Sequence, residues 1–271
     1  SYPQEDADIV MMKAAYLTLK NAPVDSVNKV YEQAIAIEPD NSRARIALIQ
    51  NIWKEEQYDK VISISRPAQE YNPEEMVFYY FEGFAQYMKK ENDAALQTFK
   101  KGVAQIKPDS DPNIVSDFYA IMGDILHEKG LDKEAFEAYD SCLQYKNDNI
   151  YCMNNYAYYL AVCNTDLAKA EKMSSKTIIA EPKNGTYIDT YAWILFRQGD
   201  LNGAKLHIER ALLYGDDPDV LEHYGDILFN LGDEQKALEQ WQKSKDKGNA
   251  SPTLQKKLDH RRYIESTVKC K

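Results

Sequence analysis

The chain has 271 residues, of which 44% are hydrophobic and 28% charged, a composition that is ordinary for a folded globular protein and excludes extended disorder. Its formal charge of -10 repels phosphate backbones and argues against nucleic acid as a partner. No stretch approaches the roughly 18 consecutive apolar residues of a membrane span, so direct insertion of this segment into a bilayer is not expected.

A small residue recurs at nearly constant spacing, in the middle of segments whose apolar residues follow the period of a helix. Successive positions are 34, 34, 40, 34, 35 and 33 residues apart, and only Ile49 among them is not small: Ala15, Ile49, Gly83, Gly123, Ala157, Ala192 and Gly225. Another Ala or Val comes twelve or thirteen residues after each position. Four residues further on lies a residue that is mostly bulky: Tyr31, Ser65, Phe99, Tyr139, Ser174, Ile208 and Trp241.

This pattern predicts pairs of antiparallel helices. Gly or Ala lets two helices approach closely where they cross, and the bulky residue fills the space beyond the crossing. Gly199-Asp200 and Gly232-Asp233 supply a left-handed stop followed by an N-cap between the helices of a pair, and we expect the same of Asn92-Asp93. Prolines close most pairs, because proline cannot continue a helix.

The spacing divides the chain, as one solenoid domain over residues 1–271, into seven helical hairpins and a cap. Ser251-Pro252 suits the N-cap and first turn of a last helix, whose narrow apolar stripe is expected of the polar end of a stack. At the other end "DIVMMKAAYLTL" is apolar almost all round, which predicts further repeats upstream or self-association through the first helix. The predicted hairpins are 8–41, 42–75, 76–115, 116–149, 150–184, 185–217 and 218–251, and the cap is 252–268.

These residues resemble the tetratricopeptide repeat, whose aromatic or Leu, Leu-Gly, Tyr, Ala, Phe and Pro pattern most of the hairpins reproduce. The resemblance implies an all-α fold in which the hairpins stack as a right-handed superhelix. The segment "EPKNGTYIDTYAWILFRQGDLNGAKLHIERAL" with "LEHYGDILFNLGDEQKALEQW" is also similar to the terminal arrays of bacterial cell-envelope proteins of this family, many of them lipid-anchored adaptors. This similarity implies that the protein is located in a bacterial periplasm or cell envelope, with the cytoplasm as the alternative.

The resemblance also implies a binding groove, since the first helices of such arrays line the concave face. Aromatic and acidic types dominate the matching positions, which suits a protein or peptide segment with apolar and basic residues. The Lys and Asn clamp of the chaperone-binding members is missing, because its positions hold Met12, Tyr16, Ile46 and Tyr80. The predicted groove residues are Trp53, Tyr80, Phe84, Tyr87, Asp124, His127, Asn154, Tyr158, Asp189, Trp193, Phe196, Asp226 and Phe229.

Two other function classes stay open beside a noncatalytic scaffold. Paired carboxylates could act on glycans, and the candidates are Asp124, Glu128, Asp189, Glu222 and Asp226. An RNA-binding helical-repeat protein would have repeats of similar length, although the acidic charge argues against it. The sequence contains no phosphate loop, dinucleotide fingerprint, nucleophile elbow or HExxH helix, so we predict no enzyme activity and no cofactor.

The cysteines and histidines do not have the spacing of metal ligands, and no metal site is predicted. Cys142, Cys152 and Cys163 are expected to be buried thiols, with a disulfide between Cys142 and Cys152 as the alternative. His127, His207, His223 and His260 fall in different repeats and are expected at surface or groove positions.

Overall fold

The computed structural model describes residues 6–265 and Cys270, and within them the chain is all α-helical. The described helices are α1 (Ala7–Leu19), α2 (Val24–Ile37), α3 (Ser42–Trp53), α4 (Tyr58–Tyr71), α5 (Met76–Met88), α6 (Asn92–Val103), α7 (Pro112–Glu128), α8 (Asp132–Tyr145), α9 (Ile150–Val162), α10 (Leu167–Ala180), α11 (Gly185–Gln198), α12 (Leu201–Ala211), α13 (Pro218–Asn230), α14 (Glu234–Asp246) and α15 (Leu254–His260). None of them is both long and apolar enough to cross a bilayer.

The chain forms two compact units, unit 1 (Ser1–Ile125) and unit 2 (Leu126–Lys271). Within unit 1 each helix from α1 to α6 packs against the next one in the sequence. Within unit 2 the same holds from α8 to α15, and the first helices α9, α11 and α13 also contact one another in that order. Contacts confined to adjacent helices and to the first helices of successive hairpins are the signature of a repeat stack, so the predicted helical hairpins are confirmed.

The small residues mark the helix crossings, as predicted. A Cβ on Gly83 would lie 2.6 Å from the ring of Phe99, and one on Gly225 would lie 2.4 Å from the ring of Trp241. Both rings belong to the second helix of the same hairpin and are fully buried. A side chain at the small position would therefore collide with the residue that fills the hairpin core.

Capping residues set where the helices begin and end. Asp200 and Asp233 cap α12 and α14 through their side chains, after Gly199 and Gly232 at φ 88° and 90°. This confirms the two predicted stops. The expected stop at Asn92-Asp93 was wrong, because α6 already begins at Asn92 and the left-handed turn lies two residues earlier.

The last helix covers the end of the stack but is shorter than predicted. Leu254 of α15 is buried in one cluster with Leu228, Ala237 and Trp241, so α15 does cap the final core. Ser251 is not the N-cap as expected; α15 follows Thr253, and the Ser251 hydroxyl donates instead to Glu222 at 3.0 Å. The chain leaves the helix at residue 261, and the predicted cap residues 266–268 lie outside the described residues.

The first helix exposes much of its apolar surface. Ile9, Met12 and Leu19 are 65%, 72% and 83% exposed, whereas Val10 and Ala14 pack against α2. Upstream repeats or self-association through this face stay a prediction.

The cysteines divide into two buried thiols and one disulfide. Cys142 and Cys152 are buried thiols that form no disulfide, as predicted, and the alternative bridge between them is wrong. The expected thiol at Cys163 was also wrong, because its sulfur is bonded to Cys270, 107 residues later. Nothing in the local sequence pairs these two positions, since 107 residues separate them.

Candidate protein-binding faces

Four half-buried aromatic side chains form a continuous strip on unit 1, here called the aromatic ribbon: Trp53, Tyr80, Phe84 and Tyr87. Phe84 stacks on Trp53 at a centroid distance of 5.3 Å, on Tyr80 at 5.7 Å and on Tyr87 at 6.3 Å. The spacing of the last three residues in α5, four and then three, puts them on one helix side, and Trp53 is the last residue of α3. The structure thus brings together all the groove residues predicted for these two hairpins.

A buried polar network holds α5 beneath the ribbon. Glu82 is 4% exposed and accepts hydrogen bonds from Arg66 at 2.8 and 2.9 Å, from Gln69 at 2.6 Å and from Gln86 at 3.0 Å. Gln86 in turn accepts from the Thr98 hydroxyl at 2.8 Å. Glu82 and Gln86 stand where the repeat pattern has apolar residues, and their role could be recognised only from these partners.

A histidine and a carboxylate pair in the middle of unit 2. His223 Nδ1 of α13 lies 2.9 Å from Asp189 Oδ1 of α11, and the imidazole stacks on Trp193 at 4.2 Å. Burial alone would lower the pKa of His223, but Asp189, Asp226 and Glu222 outweigh it and raise the pKa above its usual range. The pair therefore favours the imidazolium form.

A lysine of the cap helix neutralises two carboxylates of the last repeat. Lys257 Nζ lies 2.7 Å from both Glu222 and Asp226, and all three residues are buried. Asp226 also accepts a hydrogen bond from Trp241 Nε1 at 3.0 Å. Burial raises the pKa of Asp226 to about 6 against the opposing effect of Lys257, whereas Lys257 and Ser251 overcome burial to lower the pKa of Glu222.

Two further predicted positions of unit 2 present unpartnered polar atoms. Trp193 Nε1 and Asn154 Oδ1 are buried and have no hydrogen-bond partner. Trp193 lines a cavity of about 230 Å³ with Tyr158 and Lys257, and Asn154 lines a second cavity of about 240 Å³ with Tyr158 and Asp189. A donor and an acceptor left in this way are suited to a ligand that supplies the missing hydrogen bonds.

The segment after α15 lies against the same face of unit 2. The ring of Tyr263 meets that of Phe196 edge to face at 5.8 Å, and Glu265 forms an ion pair with Arg197 at 2.8 Å. Burial raises the pKa of Tyr263 to about 12. Phe196 is predicted to line an open groove, and its sequence context gives no sign that this position is covered.

The remaining predicted groove residues are less accessible. Asp124 is 2% exposed, and His127 Nδ1 lies 2.6 Å from Asp132 while its ring stacks on Tyr159 at 3.7 Å. Phe229 is half-buried and stacks on Trp241 at 5.7 Å. These side chains are held by their own neighbours.

One group of potential metal ligands occurs among the described residues: Asp132, Cys163 and Cys270, whose ligand atoms lie within 4.8 Å of one another. The two sulfur atoms are bonded to each other, so the group contains no pair of thiolates for a metal. The disulfide explains why the two sulfur atoms lie together, and Asp132 is already paired with His127.

Comparisons with known proteins agree with the repeated hairpins. The tetratricopeptide repeat family matches residues 192–252. A TPR repeat-containing protein of Bacillus subtilis, YpiA, is 24% identical over 140 residues, which cover 52% of this chain and 32% of YpiA. The match thus spans about a third of that relative's length.

Two solved structures show the same fold at low sequence identity. A tetratricopeptide repeat protein from Parabacteroides merdae has a TM-score of 0.62 and 13% identity, covering 94% of this chain and 98% of that one. PilW, described as a widely conserved type IV pilus biogenesis factor, has a TM-score of 0.64 and 19% identity, covering 80% and 98%. The family match therefore identifies a tetratricopeptide repeat over residues 192–252, and the chain shares its fold with solved tetratricopeptide repeat proteins.

Proposed function

We propose that this chain is a noncatalytic scaffold or adaptor that binds a segment of a partner protein, with apolar and basic residues, on the faces formed by its first helices. The tetratricopeptide fold in general supports protein-protein interaction. The aromatic ribbon of unit 1 is the observation that carries the finer proposal.

The ribbon suits such a segment because its rings offer both apolar contact and π faces. Stacked rings that are half-exposed add burial at small entropic cost, since their neighbours already fix their rotamers. A Lys or Arg side chain over a ring gains about 0.5–2 kcal/mol from the cation–π interaction. The carboxylate of Glu82 next to the ribbon already accepts hydrogen bonds from Arg66, Gln69 and Gln86. We therefore expect the aromatic rings, and not this carboxylate, to bind the basic residues of the partner segment.

Unit 2 adds groups that suit a peptide backbone. Trp193 Nε1 can donate to a carbonyl oxygen, and Asn154 Oδ1 can accept from an amide N–H. A buried polar atom without a partner costs about 1–3 kcal/mol, which a bound backbone would recover. The two atoms therefore support a partner segment on this face as well.

A bacterial cell-envelope location is part of the proposal. PilW, whose fold the chain shares, is described as a pilus biogenesis factor. Disulfides persist in oxidising compartments such as the periplasm, and the bond between Cys163 and Cys270 is consistent with that environment.

The test starts from peptides selected from a random display library on the purified chain. We expect selected peptides to carry aromatic or aliphatic residues together with Lys or Arg. Phe84→Ala and Trp53→Ala should each weaken binding by more than about 1 kcal/mol, roughly fivefold or more, without loss of helical circular dichroism.

Val24→Ala is the matched control, because Val24 is an exposed apolar residue on the second helix α2 of the same unit. It should leave the affinity unchanged. If the two ribbon variants bind as tightly as the parent chain, the ribbon is not the binding face. Selected peptides without basic residues would refute the proposed partner chemistry.

A further inference from the structure

The segment after α15 folds back onto the first-helix face of unit 2. Arg261 ends α15 with a left-handed φ of 50°, which redirects the chain. Tyr263 then packs edge to face on Phe196, and the ammonium of Lys257 lies 5.7 Å from the centroid of the Tyr263 ring. Tyr263 and Ile264 thereby line the same cavity as Trp193.

The ion pair beside this ring is asymmetric. The side chain of Arg197 is 11% exposed, whereas that of Glu265 is 60% exposed. Glu265 accepts a hydrogen bond from Nη1 of Arg197, and Tyr263 also hydrogen-bonds the Arg197 side chain, whereas Arg197 Nε is buried without a hydrogen-bond partner. A carboxylate that approached the fork squarely would bind both nitrogen atoms, as in a bidentate arginine pair. Arg197 therefore retains a hydrogen-bond donor, its Nε–H, that neither Tyr263 nor Glu265 uses.

A covalent link holds the segment at its other end. Cys270 is bonded to Cys163, which caps the C-terminus of α9. The segment is therefore attached to unit 2 twice, through α15 on one side and through the disulfide on the other. Two attachments keep the local concentration of Tyr263 and Glu265 high at this surface, and an external segment must compete with that concentration.

We infer that Phe196, Arg197 and Trp193 form a binding subsite for a protein segment that presents an aromatic ring and, two residues later, a carboxylate. In the oxidised chain the occupant of this subsite is the chain's own Tyr263 and Glu265. The inference rests on the proposed function, namely that the first helices of unit 2 bind protein segments. At this subsite the bound segment carries a carboxylate that pairs with Arg197. The aromatic ribbon of unit 1, by contrast, takes basic segments.

Reduction of the disulfide makes the subsite available. A dithiol reductant attacks one sulfur of the Cys163–Cys270 bond as a thiolate and forms a mixed disulfide, releasing the other cysteine. Its second thiol then displaces the remaining cysteine. Two electrons and two protons pass from the dithiol to the protein, which yields two cysteine thiols and the oxidised reductant. Afterwards the occupant is attached only through α15, and an external segment competes more easily.

The test measures the affinity of a labelled peptide with the sequence RRYIEST, residues 261–267, for the full chain by fluorescence anisotropy. Three samples are compared: the oxidised chain, the chain reduced with dithiothreitol, and the reduced Tyr263→Ala/Glu265→Gln chain. We expect affinity to rise in that order, with the last sample binding at least about tenfold more tightly than the first. Equal affinity in all three would overturn the proposal.

Two controls locate the subsite. Peptides with Tyr→Ala or Glu→Gln should lose the gain, and because they leave the protein unaltered they do not depend on its folding. Arg197→Gln in the reduced double variant should return binding to the weak level, with circular dichroism as the check on folding. Retention of the gain in either control would place the peptide elsewhere and refute the assignment.

The ribbon-binding peptide separates this inference from the proposed function. Its affinity should be the same for the oxidised and reduced chains, because the ribbon lies in unit 1 and the disulfide in unit 2. Failure of ribbon binding alone would refute the ribbon assignment, whereas absence of redox-dependent RRYIEST binding alone would refute the self-occupied subsite.

Discussion

Replacement of Gly225 by alanine tests whether close helix crossing is the reason for the repeated small residue. The new Cβ would lie 2.4 Å from Cδ1 and Nε1 of Trp241, and 3.1 Å from the backbone oxygen of Ala237. Ordinary contacts between carbon atoms are about 3.5–4.0 Å, so the indole would have to move by roughly 1 Å. Trp241 is fully buried and donates a hydrogen bond to Asp226, which leaves it little freedom to move.

The expected loss of stability follows from two opposing effects. Overpacking of a dense core costs typically about 1–3 kcal/mol, and this overlap with an immobile ring belongs at the upper end. Alanine in place of glycine within a helix returns about 1 kcal/mol. We therefore expect Gly225→Ala to lower the free energy of unfolding by about 2 kcal/mol.

Urea denaturation, followed by tryptophan fluorescence and circular dichroism, measures this change. Gly215→Ala is the control, because a Cβ at Gly215 meets nothing within 4 Å, and it should change stability by less than about 0.5 kcal/mol. Trp241→Leu in the Gly225→Ala background should cost at least about 1 kcal/mol less than the sum of the single changes. A Gly225→Ala chain as stable as the parent would refute the packing explanation.

Two further predictions concern the charged groups of unit 2. The raised pKa of His223 means that its ion pair with Asp189 stabilises the fold fully below the usual pKa of about 6.5 and less as pH rises through the higher folded value. His223→Gln should thus cost more stability at about pH 5.5 than at about pH 9, and an equal cost at both would contradict the ion pair. Lys257→Met should cost about 3–5 kcal/mol in urea denaturation, because it leaves Glu222 and Asp226 buried together without their cation. A cost below about 1 kcal/mol would show that this neutralisation is not needed.

The repeat could be predicted from the sequence because its physical causes are local and recurrent. Gly83 with Phe99 and Gly225 with Trp241 satisfy the same steric requirement at the same spacing, so each pair supports the interpretation of the other. The ribbon positions followed from the family resemblance, which assigns the first helices to the binding face, together with the helix period. The solvent exposure of these positions could not be predicted in the same way, because a first-helix residue such as Phe196 is buried where Tyr263 packs on it.

The fold-back segment had no comparable signal. Its contacts join residue pairs that occur once in the chain, such as Cys163 with Cys270 and Arg197 with Glu265. A single contact across 107 or 68 residues produces no periodicity, and the basic residues around 261 are typical of an exposed helix end. Only the three-dimensional arrangement reveals that this segment packs against Phe196 and Arg197 of α11.

The ion pairs of unit 2 lie between these two cases, because they follow the repeat length without being part of the packing pattern. Asp189 meets His223 34 residues later, and Glu222 meets Lys257 35 residues later. In each case a carboxylate on the first helix of one hairpin pairs with a basic residue two helices later, α11 with α13 and α13 with α15. The cap helix thus supplies at Lys257 the cation that a further repeat would otherwise have to provide. A stack that buries acidic residues on its first helices needs a cap helix with a basic residue as well as apolar ones. Without Lys257, the buried carboxylates of Glu222 and Asp226 would lack a cation, and this would destabilise the packing of α15 on the core around Trp241.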